Sequence, residues 1–359
     1  MKVVQLLQTL AFGDAVSNDA RAIDALLKKN GYDAAIYAKE IDERLSRDVA
    51  HPYAEMPKLG KEDVLIYHLS IGSDLIGLVQ KASCRKMMIY HNVTPARFFT
   101  GYSDYAESLC RLGAEDVKAL NHTFGYCQAD SDFNRQELLD AGYDCLVDVR
   151  PILIPFEDYA GEPDKETVAR YSDGRTNILF VGRLAPNKKQ EDVIRAFACY
   201  KKTVDPHARL ILAGSAGGMD LYKNRLDAYI KALGVEDVIF PGHISFSQIL
   251  ALYRTASVFL CMSEHEGFCV PLVEAMYFDV PIVAYGACAV PGTLGGSGLL
   301  LDKKDSMLAA AVTDRVVTDG TLRAFVLEKQ RQRLADFSYE TVSALFLRQF
   351  ETFLKGENQ

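Results

Sequence analysis

Between Ser263 and Met276 the chain reads SEHEGFCVPLVEAM, with two glutamates, Glu266 and Glu274, set around a glycine and a proline. The preceding SVFLCM (257–262) reads as a strand, and Ser263–Phe268 as the loop leaving its C-terminal end. Pro271 suits the first turn of a helix, where its missing N–H costs nothing. Gly267, Phe268, Cys269 and Val270 would then offer backbone N–H groups at a helix N-terminus, a place for an anion such as phosphate. Gly267 lets such a ligand approach the chain closely. Carboxylates beside an anion site make sense if the ligand carries hydroxyls next to its phosphates, since ionised carboxylates accept charge-assisted hydrogen bonds. One acid on each side of a diphosphate could hold two sugars, a ribose and a transferred hexose. Glu274 alone would need no such explanation, because an acid is favourable in a first helical turn.

A second group of chemistry-bearing residues lies in FVGRLAPNKKQEDVIRAF (180–197). Arg183 ends a strand and Lys188 follows in the loop before a helix. Two cations near a diphosphate would neutralise the charge that grows as a sugar–phosphate bond breaks. Arginine offers a bidentate fork and lysine a mobile point charge. A solvated basic loop is the plainer alternative. Gly13-Asp14 occupies the first strand-to-helix loop, where glycine permits close approach of a diphosphate or an incoming hydroxyl. Asp14 there could orient an acceptor or merely cap a helix. His91 ends a strand ahead of Asn92 and a Thr-Pro turn, and His68 ends the strand before it. Gly242-His243-Ile244 follows a short strand.

Short apolar β-runs alternate with helical patterns and must position these residues. KVVQLL (2–7), DAAIYA (33–38), DVLIYH (63–68), KMMIYH (86–91), GYCQAD (125–130) and DCLVDVRPILI (144–154) form a first series. After the first of them, Ser17 can cap a helix that Gly31 ends. A polar connection (157–177) leads to a second series: ILFVGR (178–183), RLILAG (209–214), DVIFPG (237–242), SVFLCM, VPIVAY (280–285) and GLLL (298–301). Helical patterns fall at about 189–204, 219–233, 247–255, 271–278 and 320–335. Such alternation predicts an α/β protein with two doubly wound parallel sheets. The expected division is 1–160, 161–338 and a C-terminal helix in 339–359 packing back toward the N-terminal domain. Ligands of such sheets bind beyond the C-terminal strand ends, so the interdomain cleft is the expected site.

The 359 residues suit two domains. A net charge of −8 argues against a nucleic-acid partner. Eight cysteines without a C-x-x-C pair read as buried free thiols in a reducing compartment. No apolar run is long enough to span a bilayer, and the N-terminus reads as a strand rather than a signal peptide. The expected location is the cytoplasm, with the inner face of the membrane in view. KKNGY (28–32) and the basic CRK (84–86) could touch a membrane surface, although solvated lysines are the commoner explanation.

The stretch from Glu266 to Glu274 resembles the E-x7-E signature of retaining glycosyltransferases of family 4, which have the GT-B fold of two Rossmann-like domains facing across a cleft. LYRTASVFLCMSEHEGFCVPLVEAMYFDVPIVAY (252–285), FVGRLAPNKKQEDVIRAF and VIFPGHIS (238–245) carry the likeness strongly. LAFGDAVSND (10–19), YHNVTP (90–95) and ADSDFNRQEL (129–138) carry it more loosely. Within the family the chain looks like bacterial members that build surface polysaccharides. The resemblance implies transfer of a hexose from GDP-mannose or a UDP-hexose to a saccharide or lipid-linked saccharide, with retention at the anomeric carbon and no cofactor. It assigns Glu266, Arg183, Lys188 and His91 to catalysis, His91 looking at the donor sugar. Gly13, Asp14, Gly242, His243, Ile244, Gly267, Phe268, Cys269, Val270 and Glu274 are assigned to substrates, with backbone contacts to the base near Gly242. Lys189 stands where the family often has glycine, and Gly292 where many relatives carry an acid. Asp130-Ser131-Asp132 has the D-x-D form that binds metal in the other large glycosyltransferase fold, but here Ser131 or Asp132 reads as an N-cap, and no metal ligands are assigned. A nucleotide-sugar epimerase or hydrolase and a non-catalytic partner subunit are the rival readings. The missing G-x-G-x-x-G near the N-terminus disfavours a dehydrogenase.

Overall fold

The computed structural model describes residues 1–46, 48–242 and 244–356. The chain divides into two compact units: Met1–Ala96 with Tyr105–Phe156 and the chain from Phe337 on, and Arg97–Asp104 with Glu157–Asp336. The first unit holds strands β1 (Lys2–Leu10), β2 (Asp33–Ile41), β3 (His51–Pro52), β4 (Val64–Leu69), β5 (Arg85–Tyr90), β6 (Tyr126–Ala129) and β7 (Leu146–Val149). They form one parallel sheet in the order β3-β2-β1-β4-β5-β6-β7. Helices α1 (Ala15–Lys29), α2 (Ile76–Lys81), α3 (Asp104–Ala119) and α4 (Asp132–Asp140) make the crossovers.

The second unit has helices α5 (Lys165–Tyr171), α6 (Gln190–Thr203), α7 (Asp220–Leu233), α8 (Phe246–Thr255), α9 (Val270–Tyr277), α10 (Val290–Leu294), α11 (Ser306–Thr318) and α12 (Gly320–Leu334). Its strands are β8 (Asn177–Val181), β9 (Arg209–Ala213), β10 (Val238–Ile239), β11 (Val258–Cys261), β12 (Ile282–Tyr285) and β13 (Leu299–Leu301), ordered β10-β9-β8-β11-β12-β13 and again parallel. Both sheets are doubly wound and Rossmann-like.

Three local expectations change. Asp14, not Ser17, caps α1: its carboxylate accepts from the Ser17 amide at 3.1 Å and from the Ser17 hydroxyl at 3.0 Å. The polar stretch after residue 156 is not a bare connection. It folds with the second unit through a 3-10 turn, Phe156–Ala160, and α5, and it buries Tyr159 and Tyr171. Helix α11 has no counterpart in the sequence reading. Asp319 ends it and caps α12 in the same step, so no turn residues separate the two helices.

The final helix, α13 (Tyr339–Lys355), packs into the first unit's core. Val342, Phe346, Phe350 and Phe353 share an apolar cluster with Val3, Ile23, Ile66 and Ile89. A polar column runs through the same region. Arg150 is wholly buried and binds Asp19 bidentately, at 2.9 and 2.6 Å. Its Nε donates to Gln128, whose amide donates to Gln349 of α13. Burial opposes the Asp19 charge, but the guanidinium outweighs it and holds the carboxyl below its usual range. Truncating Arg150 to methionine leaves that carboxylate buried without a partner. Denaturant unfolding should show a loss of about 3–5 kcal/mol. Because the folded-state pKa of Asp19 is depressed, the pair's contribution is present at neutral pH and is lost as pH falls through that pKa. An unchanged midpoint in Arg150→Met would contradict this.

In the second unit, β8 and β9 end in a tight approach. The Gly182 amide donates to Ala213 O, and a Cβ built on Gly214 would lie 2.0 Å from Gly182 O. Gly214 also has φ +155°, which L side chains rarely adopt. Gly214→Ala should therefore cost roughly 3 kcal/mol or more in equilibrium unfolding, whereas Gly292→Ala, with open space around it, should be near neutral.

Candidate functional site

In the second sheet, strand order reverses between β8 and β11, the neighbours at its centre. Loops leaving such neighbouring C-terminal ends diverge and open a crevice, the usual ligand site of an open α/β sheet. Arg183 and Lys188 follow β8, and Glu266 follows β11. Backbone and side chain sew the two loops together. The Glu264 amide donates to Asn187 O at 2.9 Å, and the buried Asn187 side chain donates to His265 O at 3.2 Å. One residue further along each loop, Lys188 Nζ reaches Glu266 Oε2 at 2.6 Å. Burial disfavours the lysine's charge, but the Glu266 carboxylate prevails and raises its pKa. Lys188 is thus a retained cation. Lys189 adopts a left-handed conformation and turns aside to Glu264, at 3.4 Å, which Lys304 also pairs at 3.0 Å. Arg183 is solvent-exposed, and its carbonyl accepts from Gln190.

Helix α9 starts where expected, with Pro271 in its first turn and Cys269 as a left-handed N-cap. Gly267, Phe268, Cys269 and Val270 stand at this helix start. The Phe268 carbonyl accepts from Thr293 Oγ1 at 2.6 Å, and the Glu266 carbonyl from the Ala289 amide at 3.2 Å, which fixes the loop from outside. Glu274 is differently placed from the sequence expectation of a carboxylate open to a ribose. Its oxygens already accept from Tyr159 at 2.8 Å and Tyr253 at 2.6 Å. Burial raises its pKa, with the two hydroxyls opposing. Each oxygen keeps acceptor capacity for one further donor.

Gly242 has positive φ (+76°), and His243 lies outside the described residues. Ile244 lines a cavity of about 290 Å³ with Phe240, Pro241 and Arg170, and neither Glu266, Lys188 nor Arg183 belongs to its walls.

Gly13, Asp14 and His91 belong to the first unit. Gly13 has φ +75° with open space around it. Asp14 is committed to capping α1. His91 departs from the expectation of a donor-facing group, because both ring nitrogens are used internally. Nδ1 lies 2.8 Å from Asp130, and Nε2 lies 2.9 Å from His68 Nδ1. His68 Nε2 in turn lies 2.9 Å from Gln5 Oε1. Burial opposes a charge on His91, but Asp130 overcomes it and raises its pKa, while burial pushes His68 well down. A protonated His91 donating to Asp130 and to neutral His68, which donates on to Gln5, satisfies every bond in the row. Asp130 therefore serves this row, and Ser131 caps α4 through the Asn134 amide at 3.2 Å.

Several residues at the charged loops escaped the sequence reading. Asn187 carries the loop-to-loop bonds, and Tyr159 and Tyr253 hold Glu274. His265 is buried beside Glu266, its ring 6.0 Å from Phe98, and burial pushes its pKa down to about 4. It is neutral at pH 7. The histidine in SEHEGF was a visible signal; the tyrosines, far away in sequence, gave none.

Residues 164–339 match the family described as glycosyl transferases group 1. A D-inositol 3-phosphate glycosyltransferase of Salinispora arenicola is 29% identical over 233 residues, which cover 60% of this chain and 49% of that protein. A Campylobacter jejuni N-acetyl-D-galactosaminyltransferase whose name includes PP-undecaprenol is 26% identical, over 48% of this chain and 46% of that one. The chain thus spans less than half the length of these curated relatives. The crystal structure of HepE from Anabaena in complex with UDP-glucose superimposes with a TM-score of 0.78 at 18% identity, covering 98% of this chain and 100% of that one. That likeness shows the GT-B fold. Among the described residues no helix is long and apolar enough to cross a membrane. The match to the glycosyl transferases of group 1 thus falls on the second unit, the one that carries the charged loops.

Proposed function

We propose that the protein is a retaining hexosyltransferase of family 4, taking its donor from the UDP- or GDP-linked sugars and passing the hexose to a saccharide or lipid-linked saccharide acceptor in polysaccharide biosynthesis. The observation that carries this reading is the Lys188–Glu266 pair at the strand-order reversal, beside the start of α9. A donor diphosphate there meets Lys188, Arg183 and the peptide N–H groups of a helix N-terminus, while Glu266 accepts from hydroxyls of the transferred sugar. In the reaction, the acceptor oxygen bonds to the anomeric carbon as the carbon–phosphate oxygen bond breaks. The acceptor's proton passes to the departing diphosphate on the same face. The protein supplies position and charge rather than a nucleophile. Two cations, Lys188 and Arg183, cover the growing negative charge, so the reading calls for no cofactor. The UDP-glucose complex of the Anabaena structure and the PP-undecaprenol in the Campylobacter name support a nucleotide-sugar donor and a lipid-linked acceptor. We place the enzyme in the cytoplasm at the inner membrane face.

Separate Glu266→Ala, Arg183→Ala and Lys188→Ala variants should each lose about hundredfold or more in glycosyl transfer, roughly 3 kcal/mol of transition-state stabilisation. Circular dichroism and thermal melts would confirm that each is folded. Near-normal rates in all three would overturn the assignment. Incubation with donor alone should give little turnover; steady release or epimerisation of the sugar would instead favour a hydrolase or epimerase. In a thermal-shift panel of UDP, GDP, ADP and TDP, the cognate nucleotide at about 100 times its Kd should add about 2.7 kcal/mol of apparent stability.

A further inference from the structure

Beside the Lys188–Glu266 pair lie two cysteines whose thiols the proposed glycosyl transfer does not use. Cys261 ends β11, and Cys269 caps α9. Both are buried, and Cys261 Sγ donates to Ser263 Oγ at 3.4 Å. A sulfur from each and a carboxylate oxygen of Glu266 all lie within 4.8 Å of one another. Cys269 holds φ 72° and ψ 66°, a left-handed conformation that costs a non-glycine residue on the order of 1 kcal/mol. Glycine would avoid that cost and fit a close ligand approach better. The side chain here instead brings a second sulfur to the first.

We propose that Cys261, Glu266 and Cys269 form a binding site for a soft divalent cation of the zinc type. Tetrahedral zinc, with bonds of about 2.3 Å to sulfur and about 2.0–2.2 Å to oxygen, sets its ligands roughly 3.5–3.8 Å apart. The three groups need to close by about 1 Å or less to meet that. The hydrogen-bonded strand end, the helix cap and the Ala289 bond to the Glu266 carbonyl hold the three backbones in place. Binding forms two metal–sulfur bonds and one metal–oxygen bond and releases both thiol protons to solvent. Two thiolates and a carboxylate exceed the ion's charge by one, and the adjacent Lys188 ammonium balances it. An occupied site draws Glu266 away from Lys188 and so inhibits nucleotide-sugar use. That last consequence rests on the proposed function, whereas the ion site does not.

The test is a cadmium titration of the full chain, followed by the ultraviolet sulfur-to-cadmium charge-transfer band, with zinc as competitor. A Cys145→Ser background removes the other close thiol pair, Cys127–Cys145 at 3.5 Å. The expected result is one ion and about two released protons per chain. Cys261→Ser, checked by Cys261→Ala where folding is in question, should weaken binding at least tenfold and leave metal-free UDP binding unchanged. Cys269→Gly should abolish the band without lowering the melting temperature, and Glu266→Gln should weaken the ion several-fold. Zinc should lower UDP affinity in the parent and not in Cys261→Ser. No band, or a band that survives in folded Cys261→Ser and Cys269→Gly, overturns the proposal. Failure of the metal-free parent to bind any nucleotide would count against the proposed function and leave the ion stoichiometry to decide this one.

Discussion

An ammonium and a carboxylate 78 positions apart in the chain meet at 2.6 Å, and the second unit is arranged around keeping them together. Taking either charge out of water alone is costly, and breaking a buried pair leaves that cost uncompensated. The pairing needs two loops that leave adjacent strands yet stay in register. Parallel pairing of β8 with β11 makes them adjacent. Asn187 locks the register by bonding Glu264 and His265 just before Lys188 and Glu266 meet. The start of the first loop is set by Gly182 and Gly214, whose backbones touch where no Cβ fits.

The first unit uses the same sheet type and closes its charges upon themselves. Arg150 is spent on Asp19 and Gln128, and His91 on Asp130 and His68. Among the described residues of these two rows, Asp130 Oδ1 is the buried side-chain atom left without a partner. In a low-dielectric interior such bonded rows stiffen the strand ends and favour one arrangement. The second unit instead leaves Arg183 exposed beside a retained lysine. Free charge near a helix start is suited to a ligand; charge consumed inside a core is suited to architecture.

Period and punctuation made most of the fold legible. Strands 178–183, 209–214 and 257–262 and helices 189–204, 219–233 and 271–278 stand within a residue or two of their expected bounds. They did so because buried parallel strands read as apolar runs and their crossovers as amphipathic helices. Helix α11 was missed because SMLAAAVTDRVVT adjoins the next helix without a glycine or proline between. The short β10 was overread because IFPG breaks from the ladder at Phe240. In the candidate site, the segments carrying Glu266, Lys188 and the α9 start were visible as local patterns. The fates of His91 and Glu274 were not. A histidine at a strand end looks the same whether its partners are a ligand or Asp130 and His68, since those partners lie 39 and 23 residues away.

The two glutamates of the E-x7-E stretch show how far neighbours can separate equal chemical groups. Glu266 faces an ammonium at 2.6 Å, and its carboxylate keeps Lys188 charged. Glu274 faces two phenols in a closed setting, where burial lifts its pKa and neutral hydroxyls lower it only in part. Two acids with such different neighbours can serve different roles in one site. On that physics Glu266 is the acid suited to answering charge, next to cations and a helix start. Glu274 is suited to holding hydrogen-bond geometry, with Tyr159 and Tyr253 fixing the carboxylate so that any further hydroxyl it accepts must come from one direction.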